Sequence, residues 1–374
     1  MAELEQWRVL TGLFPQGWEQ LGRSSGAVRR LRGFSSVEAL LHSLLLHVGC
    51  GLSLRETAVQ ARLTGLADVS DVTLLQRLRN SEDWLRQMCE QLLREQGVDT
   101  SPSVAGRTLR SLDTTTVREP GKTGSQWRVH YSLRLPALEC DQFLLTPAKG
   151  AGTGEALGKF RFQAGELILA DAGFSNPAGV QAVAQQGADV CLRLNPAALP
   201  LYHADGARFQ LNTALQDVEK AAQVAHWPVW VHAGEHLVAG RLCALRKGRE
   251  AIRQAERRLK DKRRRGQRVG PLAQLCARYV LVFTTLPEQE ATAEKVLDLY
   301  RLRWQIEINF KRLKSIADLG HLPKYDDRSS RAWLYGKLFL ALLTEKAARL
   351  GRTFSPWGYL LPSHAKEENR QPMA

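Results

Sequence analysis

The stretch YRLRWQIEINFKRLK, residues 300–314, carries two interleaved patterns. Apolar side chains recur three or four positions apart with no Gly or Pro between them, which predicts a single helix with one buried side. A second stripe joins an acid to a phenol and cations: Tyr300, Arg303, Glu307, Lys311 and Lys314. Helical phase turns Trp304 away from this stripe, so we expect it in the core. Charge pairs on a solvated face, worth ~0.2–0.5 kcal/mol each, would explain the stripe without any function.

The spacing of the stripe, Tyr-x2-Arg-x3-Glu-x6-Lys, resembles without a gap the signature of the IS4 (insertion-sequence-4) family of DDE transposases. The resemblance implies that Glu307 is the last of three carboxylates that bind the catalytic metal ions. It also implies that Tyr300, Arg303 and Lys314 contact phosphates near the transposon end. Two aspartates should then lie upstream, each at the end of a strand.

The overall charge indicates a polyanionic partner. The chain has 52 Lys and Arg against 38 Asp and Glu, a net charge of +14, and its pI is about 9.8, which favours nucleic acid over a membrane surface. The longest wholly apolar run is residues 338–343, far short of the ~20 residues that span a bilayer. The six cysteines form no C-x2-C pair, so neither a zinc site nor a disulfide framework is indicated. We expect a cytoplasmic, nucleoid-associated protein.

Residues 1–100 predict a helical domain. Residues 53–56 have the capping-box form, in which a hydroxyl and a carboxylate satisfy helix-end N–H groups reciprocally. A second short helix starts near Ser70, after a turn at Gly65. Two short helices around a Gly turn are compatible with a DNA-binding helix-turn-helix and with a plain helical bundle. Both interpretations stay open.

From about residue 101 the pattern changes to strands. Alternating and β-branched residues predict three successive antiparallel strands, then an apolar strand, a helix and a fifth strand: 108–117, 127–135, 141–146, 166–171 and 189–194. This is the element order of a ribonuclease-H-like fold, which carries its first Asp on strand 1 and its second at the end of strand 4. Asp113 and Asp171 fall at those two places. His130, on the second strand, is predicted to be structural.

The residues on either side of both aspartates resemble those of the family. Leu112-Asp113-Thr114-Thr115 and Ala170-Asp171-Ala172-Gly173-Phe174 resemble its two Asp boxes, although many relatives carry Arg where this chain has Ala172. If that Arg contacts a phosphate, this chain lacks the contact or supplies it elsewhere. The resemblance implies that Asp113, Asp171 and Glu307 bind two Mg2+ ions, for which Mn2+ would substitute. Carboxylate oxygen is the ligand that Mg2+ prefers.

An insertion of about residues 200–270 lengthens the interval before Glu307. It contains short predicted strands at 208–212, 227–232 and 237–245. Residues 246–268 follow, with twelve Lys or Arg against three acids, a net of +9; Arg263, Arg264 and Arg265 are consecutive there. A surplus of this size cannot be neutralised within a solvated helix, so it favours phosphate contact, which gives affinity without sequence choice.

The combined prediction is a mixed α/β protein with a ribonuclease-H-like catalytic core. The core spans 101–350 with its β-rich insertion, follows the helical domain 1–100 and precedes a loose tail, 351–374. We expect a cut-and-paste transposase that cleaves and joins double-stranded DNA at the inverted ends of its own insertion sequence, as a homodimer when the ends and target DNA are bound. A metal-dependent nuclease without strand transfer, or an inactive DNA-binding protein derived from a transposase, are the alternatives.

Overall fold

The computed structural model describes residues 2–95, 106–118, 126–315, 317–320, 322 and 326–353, with side chains described from Trp7 to Gly351. The chain divides into two compact units, one helical and one built on a sheet. Residues 121–125, between the first two predicted strands, lie outside the described residues. So does the predicted tail from residue 354 onward.

The helical unit contains the N-terminal helices and the long helix near the C-terminus. Their bounds are α1 Ala2–Thr11, α2 Trp18–Ser24, α3 Val37–Cys50, α4 Leu54–Leu63, α5 Asp71–Asn80, α6 Glu82–Glu95 and α13 Asp327–Thr353. The predicted caps are confirmed, because Ser53 and Glu56 form a capping box on α4 and Ser70 caps α5. Fully buried Trp84 lies against Gly22, where an added Cβ would stand 2.8 Å from the indole ring.

Helix α13 packs against α3, α5 and α6, although its sequence was assigned to the catalytic domain. Both arginines of α5 are engaged inside the helical unit. Arg77 donates to the carbonyl of Arg30 at 2.5 Å, and Arg79 pairs with Asp326 at 2.6 Å. DNA contact by α4 and α5 stays a prediction.

The second unit is built on one eight-stranded mixed sheet in the order β3-β2-β1-β4-β5-β8-β7-β6. The strands are β1 Thr108–Arg118, β2 Gln126–Leu135, β3 Glu139–Pro147, β4 Glu166–Ala170, β5 Asp189–Arg193, β6 Val224–Ala233, β7 His236–Arg246 and β8 Tyr279–Thr284. Strands β1 to β3 are antiparallel neighbours, and β4 and β5 run parallel to β1. The predicted ribonuclease-H-like order is confirmed.

The sheet unit also contains helices, two of which cover opposite faces of the sheet. The helices are α7 Pro177–Ala184, α8 Leu211–Ala214, α9 Arg249–Arg264, α10 Pro271–Cys276, α11 Ala293–Arg301 and α12 Trp304–Ser315. Val190 and Leu192 of β5 share a buried apolar cluster with α7, whereas the Cys191 thiol contacts the Val296 carbonyl of α11 at 3.7 Å. Successive strand residues point to opposite faces, so α7 and α11 lie on opposite sides of β5.

The insertion extends the central sheet, because β7 pairs with β8 and β6 pairs with β7. The strands predicted at 227–232 and 237–245 are therefore confirmed. The strand predicted at 208–212 is wrong. Its buried apolar residues, Phe209 and Leu211, pack into the core from a loop and from the short helix α8, so their alternation reflects packing without a paired ladder.

The single helix predicted over 300–314 is also wrong. Helix α11 ends at Arg301 and α12 begins at Trp304, with tight turns in which the Arg303 N–H donates to the Tyr300 carbonyl. The hydroxyl of Ser111, on β1, donates to the Arg303 carbonyl at 3.3 Å. This tertiary hydrogen bond lies at the helix break, where no local apolar periodicity could reveal it.

Candidate active site

Asp113 and Asp171 are neighbours at one edge of the sheet. The last paired residues of the parallel strands β1 and β4 are Leu112 and Ala170, and each aspartate is the next residue along its strand. Strand β4 ends there, as predicted. Asp113 is not at the end of its strand, since β1 continues to Arg118 alongside β2. Strand β1 therefore has no β4 neighbour beyond Leu112 because β4 ends at Ala170, and not because β1 ends.

Each aspartate accepts one nearby backbone N–H. Asp113 Oδ1 accepts from Thr114 at 2.7 Å, and Asp171 Oδ1 accepts from Gly173 at 2.8 Å. A carboxylate has room for several donors. One oxygen of each aspartate is thus oriented by the backbone.

Arg303 joins Glu307 to this edge. Its Nη2 donates to Glu307 Oε1, and its Nη1 lies 3.7 Å from Asp113 Oδ2. The guanidinium also stands 5.8 Å from the centre of the Tyr300 ring. Tyr300 is buried, and burial raises the pKa of its phenol. The structure therefore brings Tyr300, Arg303 and Glu307 together with Asp113 even though the predicted helix is broken between them.

Negative charge is concentrated around Asp113. The pKa of Asp113 is raised to about 7, chiefly by burial and also by the charges of Asp171 and Glu155. The Thr114 N–H and Arg303 act in the opposite direction. The pKa of Arg303 is raised in turn, because Tyr300, Glu307 and Asp113 outweigh the effect of its burial.

Sequence reasoning missed Glu155, which lies in the loop between β3 and β4. Its Oε1 accepts a hydrogen bond from Thr114 Oγ1 at 2.7 Å. The only local signal is the glycine-rich stretch KGAGTGE at 149–155, which predicts a loop but not where that loop leads.

Arg193 was also missed. It follows Leu192 of β5, and Leu192 pairs with Ala170, so Arg193 is the neighbour of Asp171 on the next strand. Its charge acts on Tyr300 and on Lys247. The strand-end argument that located Asp171 would have located Arg193, had it been applied to β5.

The remaining predicted residues of α12 are exposed. Lys311 and Lys314 lie on its outer surface, and neither forms an ion pair with any described residue. Trp304 is 53% exposed, so its expected core position is wrong. The break before α12 changes the helical phase on which that expectation depended.

His130 takes part in a separate polar cluster. Its Nε2 lies 2.9 Å from Thr146 Oγ1 and 3.3 Å from Lys159 Nζ. Burial and the charges of Lys159 and Arg128 lower the pKa of His130 to about 4, so the ring is neutral near pH 7. It is placed to hold strands together and not to take a proton at the aspartates.

The acids fit Mg2+ by their chemistry, but they do not converge fully. Among the residues that the structure describes, no three His, Cys, Asp or Glu side chains lie close enough to hold one metal ion. The oxygen donors of Asp113 and Asp171 and their surplus negative charge suit a hard divalent cation. Glu307 would have to leave Arg303 to join them, since that arginine now neutralises it.

Helix α9 is a different kind of charged surface. None of its residues is buried. Its internal ion pairs are long, with 3.8 Å between Arg253 and Glu250 and between Arg264 and Asp261. Arg263 and Arg265 lie at its C-terminal end and are exposed like Arg264. The predicted cluster therefore presents its charge to solvent.

No helix within the described ranges is long and apolar enough to cross a membrane.

Comparisons with known proteins find several similar sequences. A family profile described as "Transposase DDE domain" matches residues 147–343, which include Asp171 and Glu307. The chain is 33% identical over 349 residues to a protein of Escherichia coli strain K12 named as transposase InsL for insertion sequence element IS186A, covering 91% of this chain and 93% of that protein. It is 33% identical over 350 residues, with the same coverage, to the transposase for insertion sequence element IS421 of Escherichia coli.

Two more distant likenesses are short or weak. The transposase for insertion sequence element IS231F of Bacillus thuringiensis subsp. israelensis is 42% identical over 60 residues, 16% of this chain and 13% of that protein. A structure of the piggyBac transposase synaptic complex with hairpin DNA aligns with a TM-score of 0.43 and 9% identity, over 97% of this chain and 87% of that one.

Proposed function

The chain belongs to the DDE transposase family, and from this membership we propose that it cuts and rejoins DNA at the inverted ends of its own insertion sequence. The observation that carries the proposal is the meeting of Asp113, Asp171 and the Arg303–Glu307 pair at one edge of the sheet. Three acids from distant parts of the sequence have no common structural task there. Their arrangement matches the order of acids that the family signature requires.

We assign metal binding to Asp113, Asp171 and Glu307. Two Mg2+ ions, or Mn2+ in their place, would when bound activate the attacking oxygen and stabilise the charge on the leaving oxygen. The protein holds the two aspartates in register through β1 and β4, and it supplies Glu307 from helix α12. Arg303 offers a fork of donors suited to bidentate phosphate contact once Glu307 turns to the metal.

The DNA partner is assigned to the exposed cations. Lys311 and Lys314 are exposed and follow Glu307 on α12, and half-buried Arg193 follows Leu192, which pairs with Ala170 next to Asp171. These cations would contact DNA phosphates near the scissile bond. Tyr300 is largely buried and serves by supporting Arg303. The cluster Arg263, Arg264 and Arg265 contributes affinity for any DNA sequence. Two ends held together require two copies of the chain, so a homodimer forms on the DNA, in the nucleoid.

The test is a cleavage assay on a donor plasmid that carries the gene's flanking DNA. Purified wild-type protein is incubated with and without Mg2+, and the products are mapped by sequencing. Mg2+-dependent cuts at paired inverted ends, followed by insertion elsewhere, are expected. Glu307→Gln should bind the same DNA without cutting it. Glu235→Gln makes the same change in the exposed turn between β6 and β7 and should cut normally.

The other outcomes select the alternatives. Cuts without preference for the ends would indicate a metal-dependent nuclease. Binding without cuts by the wild type would indicate an inactive DNA-binding protein. Normal cutting by Glu307→Gln would remove Glu307 from the metal site.

A further inference from the structure

The loop between β3 and β4 delivers a fourth acid, Glu155, to the catalytic edge. It leaves the sheet after Pro147 and returns at Glu166. Its glycines Gly150 and Gly152 have φ values of 123° and 72°, which favour glycine and allow the chain to fold back on itself.

The segment around Glu155 is held on both sides. On one side, Lys159 Nζ donates to the carbonyl of Gly154 and lies 3.3 Å from His130 Nε2. On the other side, Leu157 is fully buried and lies against Gly179 of α7, where an added Cβ would stand 3.2 Å from it. Glu155 is therefore positioned by core packing and by a lysine anchored to β2.

The carboxylate of Glu155 reaches both aspartate-bearing segments. Oε1 accepts the Thr114 hydroxyl at 2.7 Å. Oε2 occupies the place that a side chain at position 173 would fill, because an ideal Cβ on Gly173 would lie 1.6 Å from it. The same Cβ position is 3.1 Å from Asp171 Oδ1, so the carboxylates of Glu155 and Asp171 flank one glycine.

Glu155 approaches from the side opposite to Glu307. Consecutive residues of β1 point to opposite faces, so Thr114, which binds Glu155, faces away from Asp113 and Ser111. Ser111 bonds the turn before α12, which places Glu307 and Arg303 on the Asp113 face. The two aspartates are thus flanked by an acid on each face of the sheet.

Lys159 is a nearby cation whose charge interacts with that of Glu155. Within the described residues no Lys or Arg forms an ion pair with Glu155, whereas Glu155 adds its negative charge to that around Asp113. Like charges brought together out of bulk water destabilise each other, and a divalent cation between them relieves that cost.

We propose that Glu155 is a positioning residue of the catalytic edge whose negative charge tightens the binding of a divalent cation by Asp113 and Asp171. The inference rests on the proposed function, because it adds an acid to the three that the family signature contains. Under this proposal, position 173 is glycine because a larger side chain would displace the Glu155 carboxylate.

The test measures the binding of Mn2+ to the full-length protein without DNA. Electron paramagnetic resonance reports the fraction of Mn2+ that is bound. Glu155→Gln keeps the size of the side chain and an oxygen that accepts from Thr114, and it removes only the charge. Its Mn2+ dissociation constant should be about tenfold higher than that of the wild type. Its melting temperature in EDTA should be equal or higher, because repulsion is relieved. Glu235→Gln, with the same change at an exposed site, should match the wild type in both measurements.

A second pair of variants tests the geometry. Gly173→Ala should displace the Glu155 carboxylate and weaken Mn2+ binding to a similar extent. Added to Glu155→Gln, it should cause little further loss, since the charge is already gone.

Unchanged Mn2+ affinity in Glu155→Gln would overturn the inference. A lower melting temperature of this variant in EDTA would also overturn it, because that result indicates a purely structural role. If the wild type itself binds no Mn2+ and cuts no DNA, the proposed function fails. If the wild type does both and Glu155→Gln behaves identically, only the role of Glu155 fails.

Discussion

Arg110 and Asp113 lie three residues apart on β1. The charges around Arg110 are balanced, whereas those around Asp113 are not. Arg110 is fully buried; its Nε stands 2.8 Å from Asp141 Oδ2 and its Nη1 2.7 Å from Glu166 Oε2. Arg134 approaches the same Asp141 at 3.4 Å. Two cations thus meet two carboxylates, and the network joins β1 to β2, β3 and β4.

At Asp113 the charges do not balance. Arg303 is the cation that pairs with Asp113 and Glu307, and the charges of Asp171 and Glu155 add to the negative charge around Asp113. A balanced network holds strands together, whereas an unbalanced one costs stability and is retained where a bound cation restores the balance. The same strand thus carries a balanced charge network at Arg110 and, three residues later, the proposed metal ligand Asp113.

The largest expected effect comes from removing a carboxylate at the unbalanced site. Asp113→Asn keeps the shape of the side chain and loses a metal ligand, so DNA cleavage should fall by roughly 10³-fold, which corresponds to several kcal/mol of transition-state stabilisation. DNA binding in a gel-shift assay should persist. Single-turnover cleavage at a wild-type rate would contradict the assignment of Asp113 to catalysis.

Removing the charge of Arg110 should lower the free energy of unfolding without directly affecting DNA cleavage. Arg110→Met leaves Asp141 and Glu166 buried with one cation fewer, which should cost about 3–5 kcal/mol of unfolding free energy in urea titrations. Mg2+ should not restore it. Arg301→Met is the matched control, since that side chain is 83% exposed and should lose little. If Arg110→Met lowers the free energy of unfolding by less than about 1 kcal/mol, the distinction between the Arg110 and Asp113 sites is lost.

The pH dependence of stability should reveal the unbalanced charge. Asp113 has an ordinary pKa of 3.8 and a pKa of about 7 in the folded protein, so the fold disfavours its ionised form. The cost is absent below about pH 4, grows toward pH 7 and is complete above it. In EDTA, the free energy of unfolding of Asp113→Asn should therefore be about 2–4 kcal/mol higher than that of the wild type at pH 8. The two values should be equal near pH 4. Mg2+ should narrow the gap at pH 8, and a gap independent of pH would contradict the charge argument.

The smallest effect is expected at helix α9, where charge is neither buried nor balanced. Reversing Arg263, Arg264 and Arg265 to Glu should weaken binding to all DNA sequences by similar factors. The slope of log affinity against log salt should fall by about 0.9 for each phosphate that the protein no longer neutralises. The melting temperature should hardly change, because these side chains are exposed. Reversing exposed Lys220 in the same unit is the control. An unchanged salt slope would make α9 an ordinary solvated helix.

Much of this arrangement could be predicted without coordinates. The strand order follows from alternation and β-branched runs, and the caps of α4 and α5 from their side chains. Asp113 and Asp171 were identified from the predicted element order, which is that of a ribonuclease-H-like fold, and from the resemblance of the residues around them to the family's two Asp boxes. Glu307 and Arg303 were identified because the spacing of their stripe resembles the family signature.

The errors share one cause. The break at 302–303, the exposure of Trp304 and the loop-borne Phe209 each depend on contacts between distant segments. Local periodicity describes which side of an element is apolar, but it does not contain the Ser111–Arg303 hydrogen bond or the core that receives Phe209.

The sequence by itself therefore determined the order of the strands, the three acids and the concentration of positive charge in 246–268, because these depend on local pattern and on residue spacing. Only the tertiary structure decided which charges meet. It placed Glu155 against Gly173, Arg193 beside Asp171, and Arg303 between Asp113 and Glu307. Electrostatic interactions depend on distance in space and on burial, and neither quantity is written in the spacing of residues along a chain.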